Sequence, residues 1–221
     1  MSNIVINPYN FAVAADIELD DQVSTDSAVN GTTLTASLTV ASNSNRILIV
    51  SANAYASSPT ITGITFGAQA LTQGNTEIYL ADGRADLWYL INPNVGTYTI
   101  TVTWSGTAGR RTMGGYSFYN VDQSSPIGVT DSTTGSLSPA GGTITPTTIG
   151  SMIIDSIMWT TGSAASLSLT AGYCIFIGGS DRVGGSQFSL TPTISVSNTM
   201  NYTNSAADGT WAWCSMEVKR A

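Results

Sequence analysis

The chain of 221 residues carries 14 acidic side chains, one lysine (Lys219) and no histidine. The usual general base, triad orienter and metal ligand is therefore missing, and 28 serines have no partner spaced to activate one. Hydrolysis by two carboxylates needs a pair that converges across a cleft. The glutamates Glu18, Glu77 and Glu217 are far apart in the chain. A Glu-x-Asp-x-x-Glu pattern begins at Glu18-Leu19-Asp20 and fails at Val23. No catalytic residue, no metal ligand and no cofactor is expected.

Metal chemistry is equally thin. Asp82-Gly83-Arg84-Ala85-Asp86 sets an arginine between two acids, which reads as a hairpin tip with a local ion pair rather than a calcium loop. Asp16, Glu18, Asp20, Asp21 and Asp26 cluster near the start and read as a solvated turn, with a calcium loop as the other reading. "GGSDRVGGS" (178–186) is no phosphate cradle, since no helix follows it; it reads as a flexible loop. The net charge of −7 argues against nucleic acid, which requires a basic stripe; the only adjacent basic pairs are Arg110-Arg111 and Lys219-Arg220.

Binding is better represented. In "GTYTITVTW" (96–104) the side chains alternate, so Tyr98, Ile100, Val102 and Trp104 share one face and Thr97, Thr99, Thr101 and Thr103 the other. The hydroxyl face can look at water, a glycan or another protein. On the last strand Trp211 and Trp213 lie opposite Ala212, Cys214, Met216 and Val218. Either both faces are buried between sheets, or the tryptophans form an aromatic platform for a sugar or a partner.

These residues need elements to hold them, and the elements read as strands throughout. Alternation over 34–40, an apolar run at 47–50, and the segments 86–91, 98–104, 151–159, 166–170, 173–177, 193–197 and 211–218 all have strand character. Turn signals separate them at Asn30-Gly31 (a hairpin), Asn43–Asn45, Asp82-Gly83, Gly141-Gly142, Gly178-Gly179 and Asp208-Gly209. No window holds a helical period. The reading is an all-β fold, a single antiparallel β-sandwich of jelly-roll type spanning 17–221. With 42% apolar and 10% charged residues the chain has a core's worth of oil and little charge.

Residues 1–16 stand apart. Ile4, Ile6, Tyr9, Phe11 and Val13 make this segment apolar, either as a first strand or as an arm that packs on a neighbouring subunit. No Lys or Arg precedes Arg46, and no run approaches the ~18 apolar residues of a membrane span. The expectation is a protein without a leader or membrane segment, made in the cytoplasm. Cys174 and Cys214 are then expected to remain reduced core residues rather than a disulfide.

"GITFGAQALT", "ADLWYLINPNVGTYTITVTWSG" and "GGYSFYNVDQSSPIG" resemble a β-sandwich domain of bacterial surface proteins and tailed-phage virion proteins. The similarity runs from about Asn45 to Gly128. Its most specific parts are Trp88-Tyr89-Leu90 before Asn92-Pro93, and Val121-Asp122-Gln123 before Pro126-Ile127-Gly128, which are turn and packing residues. The resemblance implies a virion structural protein assembled in the host cytoplasm: a capsid decoration (cement) or tail component, homo-oligomeric and bound to the major capsid protein or tail proteins. A glycan-binding adhesin module is the other implied reading. Ile4, Ile6, Tyr9, Phe11, Val13, Trp211 and Trp213 are the candidate partner-binding residues.

Overall fold

A computed structural model describes residues 14–55, 59–79, 83–136, 138–160, 182–203 and 209–221, and the backbone alone of 167–169, 173–178 and 204. The residues Ile4, Ile6, Tyr9, Phe11 and Val13 lie outside the described residues. All described elements are strands, and the sheets are antiparallel. None of them is a helix long and apolar enough to cross a membrane.

Strands β1 (Glu18–Ser27), β2 (Gly31–Val40), β3 (Ile47–Tyr55), β4 (Ile61–Phe66), β5 (Gln69–Ala70), β6 (Thr72–Tyr79), β7 (Gly83–Ile91) and β8 (Gly96–Tyr119) form one folded eight-stranded sheet. The 24-residue β8 belongs to both of its halves. Its first part pairs with β2 and β4 to make an outer layer, sheet I, which β5 extends. Its second part pairs with β1 and β3 in an inner layer, sheet II, continued by β7 and β6. The second half of the chain gives sheet III and sheet IV. Sheet III has the order β13 (Tyr173–Gly178), β14 (Arg182–Ser189), β11 (Met152–Thr160), β16 (Thr210–Val218), β9 (Ile127–Ser136). Sheet IV has the order β10 (Ala140–Ile144), β15 (Asn198–Asn204), β12 (Leu167–Leu169).

Strand alternation decides how these layers stack. Leu48, Val50 and Ala52 of β3 enter a first core with Leu38, Ile64, Phe66, Ile100 and Val102, between sheets I and II. Ile47 and Ile49 of the same strand enter a second core with Phe118, Ile154, Phe188, Cys214 and Met216, between sheets II and III. A third core between sheets III and IV holds Ile153, Ile157, Trp159, Met200, Tyr202, Trp211 and Trp213. A two-sheet jelly roll has one core. The described residues form three, in a stack of four layers with sheets I and IV on its two outer sides.

Several local expectations change. Asn30-Gly31 does not close a hairpin ladder; β1 and β2 each pair with their own half of β8 and cross from sheet II to sheet I beside it. Arg111 pins that crossing by donating to Val29 O at 2.8 Å and to the Thr33 carbonyl. Gly141-Gly142 lies within β10 rather than in a turn. Gly141 has φ +117, and a Cβ there would collide with the Met200 carbonyl, so this glycine serves close strand approach. The loop expected over 178–186 is largely β14, whose Gly184 lets Thr112 of sheet II come close. The segment 193–197 is a turn held by the Asn198 side chain, which donates to Thr193 O and Val196 O; the strand starts at Asn198.

Other expectations match. Asp122 accepts from Ser124 N (2.8 Å) and Ser125 N (3.3 Å), making the polar corner after Val121. Arg84 donates to both carboxylate oxygens of Asp86, at 2.6 and 2.8 Å, but this ion pair is buried within β7 rather than displayed at a tip. Cys214 is a free buried thiol whose pKa burial pushes well up; the Cys174 side chain lies outside the described residues.

Candidate functional site

The hydroxyl face is longer than the segment 96–104 shows. In sheet I, Thr33, Thr35, Ser37 and Thr39 of β2 stand directly opposite Thr103, Thr101, Thr99 and Thr97 of β8. On the other flank Thr65 of β4 lies across from Thr101. The register is unbroken from Thr33 to Val40, so the hydroxyls form a regular two-row array. Six of the eight side chains in the rows are exposed, Thr101 and Thr103 being half-buried. The Thr39 and Thr97 hydroxyls bond to each other at 2.8 Å. The opposite face supplies Leu34, Leu38, Ile100, Val102 and Trp104 to the first core, which fixes the ladder's outward aim.

Sheet IV repeats this pattern on the far side of the molecule. Thr143 of β10 pairs with Thr199 of β15, Gly141 with Asn201, and Ser168 of β12 with Thr203. Thr143, Thr199 and Thr203 are exposed, while Ile144, Met200 and Tyr202 point into the third core. Not one charged residue occurs in β2, β4, β5 or the Gly96–Gly109 half of β8, nor in β10, β12 or β15. Charge is confined to the inner sheets and the connections. That reverses the ordinary arrangement, in which strands facing water carry lysine and glutamate to stay soluble and to discourage edge pairing.

The exposed apolar side chains follow the same division. Among the described residues, Val29 (75% exposed), Val95 (47%) and Tyr98 (39%) lie on or beside sheet I. Ile149 (76%) and Val196 (52%) lie in the turns that border sheet IV, tied together by Ser195 N donating to Pro146 O. Ile78, on β6, is the remaining large exposed apolar residue.

The acids, by contrast, are spent on structure. The cluster expected as a solvated turn is largely β1, an edge strand. Asp20 accepts from Ala41 N at 2.8 Å and Ser117 Oγ at 3.0 Å, and Asp21 accepts from Thr39 N at 3.0 Å. These carboxylates bond to amide groups at the end of β2, closing the gap between sheets I and II. Glu18 accepts from the Tyr119 hydroxyl at 2.6 Å, which raises the Tyr119 pKa. Among the described residues no group of three His, Cys, Asp or Glu side chains is placed to hold a metal ion.

Two buried carboxylates escaped the sequence reading. Asp155, on β11, is fully buried in the third core and accepts four hydrogen bonds. They come from Gln187 N (2.9 Å), Gln187 Nε2 (3.0 Å), Tyr202 OH (2.5 Å) and Trp213 Nε1 (2.7 Å). Burial raises its pKa to about 6, against the lowering effect of these four donors. Glu217, on β16, accepts from Val129 N (3.1 Å), Thr147 N (3.0 Å) and Thr148 N (2.8 Å). Burial pushes its pKa up, but those bonds outweigh it and hold it below the ordinary value. The signal for Asp155 was a lone acid in the apolar run "SMIIDSIMW", where an unpaired charge has no place.

Trp211 and Trp213 resolve to the buried reading. They are 8% and 0% exposed and lie beneath sheet IV, while Ala212, Cys214, Met216 and Val218 fill the second core from the other face of β16. As surface contacts for a partner they are corrected: a strand with a sheet on each side has no face left for one. No protein-family model, curated protein or solved structure matches the chain. The class that fold and surface define is an all-β protein with charge-free outer sheets.

Proposed function

We propose that this chain is a non-enzymatic structural protein of a bacteriophage virion, a capsid decoration subunit that reinforces the shell through protein–protein contacts. The observation that carries the proposal is the absence of charge from both outer sheets. Burying a lysine or glutamate face costs far more desolvation than burying threonines whose hydroxyls can find new partners. Charge depletion with apolar residues alongside is the composition of a surface that protein covers. The resemblance over Asn45–Gly128 supplies the virion context.

The arm reading of the N-terminal segment belongs to the same proposal. Ala14 O and Asp16 are held by Arg220, and Ile17 is buried in the second core, so residues 14–17 are anchored beside the C-terminus. The arm, read from the sequence as residues 1–16, is on this proposal narrowed to residues 1–13, which serve to dock on a neighbouring copy or the shell. The adhesin alternative had rested on Trp211 and Trp213 as a sugar platform, and their burial removes that support.

Immunogold labelling of purified phage particles with antibody against this chain tests the proposal. Regular label over the capsid is expected. Particles that carry the gene but no label on the shell would overturn it.

A further inference from the structure

We infer that the two charge-free sheets are the two halves of one contact, so that copies of this chain stack head to tail with sheet I of one seated on sheet IV of the next. The inference stands on these two surfaces and not on the virion reading.

Each copy carries a net charge of −7, so random approach of two copies is repulsive. The faces that escape this are the outer sheets, which hold no charged residue in any strand. They occupy opposite ends of the four-layer stack, about 30 Å apart at ~10 Å per layer. A contact between them propagates, since every copy presents one face of each kind.

The chemistry of the two faces is matched. Hydroxyls and amides both donate and accept, so the threonine rows of sheet I can bond Thr143, Thr199 and Asn201 of sheet IV without orphaning a charge. Apolar side chains flank both faces, Val29 and Val95 beside sheet I and Ile149 and Val196 beside sheet IV, while Tyr98 lies on the core side of sheet I against Phe66. Covering Val29, Val95, Ile149 and Val196 leaves Tyr98 and Ile78 as the remaining large exposed apolar side chains among the described residues.

Scale sets the strength. At ~4.8 Å between strands and ~3.4 Å per residue sheet I offers roughly 500 Å², but the shorter strands β10, β15 and β12 of sheet IV offer only roughly 250 Å², so the contact is far short of the ~800 Å² per partner of a standard interface. Association is therefore weak in dilute protein and grows with concentration.

Sedimentation velocity of the full chain up to about 1 mM tests this, with Thr99→Lys on sheet I and Thr199→Glu on sheet IV. Both positions are exposed, and an unchanged melting temperature confirms that each variant folds. The unmodified chain is expected to form species larger than dimers. Each variant alone should associate about tenfold more weakly, because a charge is buried against an uncharged face. Mixing the two should restore assembly, since the lysine face of one variant meets the glutamate face of the other. A strictly monomeric or dimeric chain would overturn the inference, as would two variants whose mixture associates no better than either alone. Unlabelled particles in the immunogold experiment would sink the virion proposal and leave these measurements untouched.

Discussion

Tyr202 of sheet IV donates its hydroxyl hydrogen to Asp155 of sheet III at 2.5 Å, across a core otherwise filled by Trp159, Trp213, Ile157 and Met200. The same carboxyl takes Trp213 Nε1 from β16 and both donors of Gln187 from β14, so one side chain fastens four strands in two sheets. No cation is among those four partners. Its stability contribution is thus set by burial against hydrogen bonding, and that balance depends on pH.

The sign of that dependence is opposite to the common carboxylate case. Asp155 is raised from 3.8 to about 6, so the folded chain holds its proton more tightly than the unfolded chain does. Stability from this group is fully present below about pH 4 and is lost as pH rises through 6, on the order of 3 kcal/mol in all. Glu217 and Asp122 are lowered, and their contribution is lost as pH falls through their folded values. Maximal stability is expected near pH 4, with most of the fall complete by about pH 6. Urea unfolding across pH 4–8 should show falling stability for the native chain and a flat profile for Asp155→Asn. Equal slopes for the two proteins would refute this role for Asp155.

Trp213→Ala should lower stability by about 3–5 kcal/mol, the range for truncating a buried aromatic. Trp213→Phe keeps much of the packing but removes the indole N–H from Asp155, leaving one carboxylate oxygen short of a donor. The phenylalanine variant should therefore lose more stability at pH 8 than at pH 4. Denaturation curves at both pH values measure the difference. A tryptophan lying on the surface would give near-neutral values for both substitutions.

Deleting residues 1–13 should leave a folded, soluble body, because the anchoring contacts of Ala14 and Asp16 with Arg220 and the burial of Ile17 remain. On the proposed docking, burying Ile4, Val5, Ile6, Tyr9, Phe11 and Val13 on a neighbour would give on the order of 10 kcal/mol before ordering costs. Fixing a segment's backbone costs ~1–2 kcal/mol per residue, so the proposal requires a receiving surface to offset that cost. The truncated chain should match the full chain in melting temperature and fail to join particles. A truncated chain that does not fold would make the segment an ordinary first strand.

The sequence by itself determined the all-β class, because period-two alternation at 34–40, 97–104 and 211–218 states which side chains must be covered. It also determined that the Thr97–Thr103 row is uncharged and opposed to a core face. Alternation cannot say what lies beyond either face, so whether Trp211 and Trp213 meet water or a second sheet was open until sheet IV was seen to cover them. Strands built mainly from polar residues, such as β1 and β9 with their serines, threonines and acids and β15 with its asparagines and threonines, were hidden because their partners rather than their own hydrophobicity define them. Asn30-Gly31 has hairpin chemistry, yet β8 competes for both flanking strands and wins by offering a 24-residue ladder. The four-layer stack, the Asp155 fastening and the placement of charge in the inner sheets are all products of long-range pairing. Only the tertiary structure decides such pairing, since it depends on which distant strand presents a complementary edge and face.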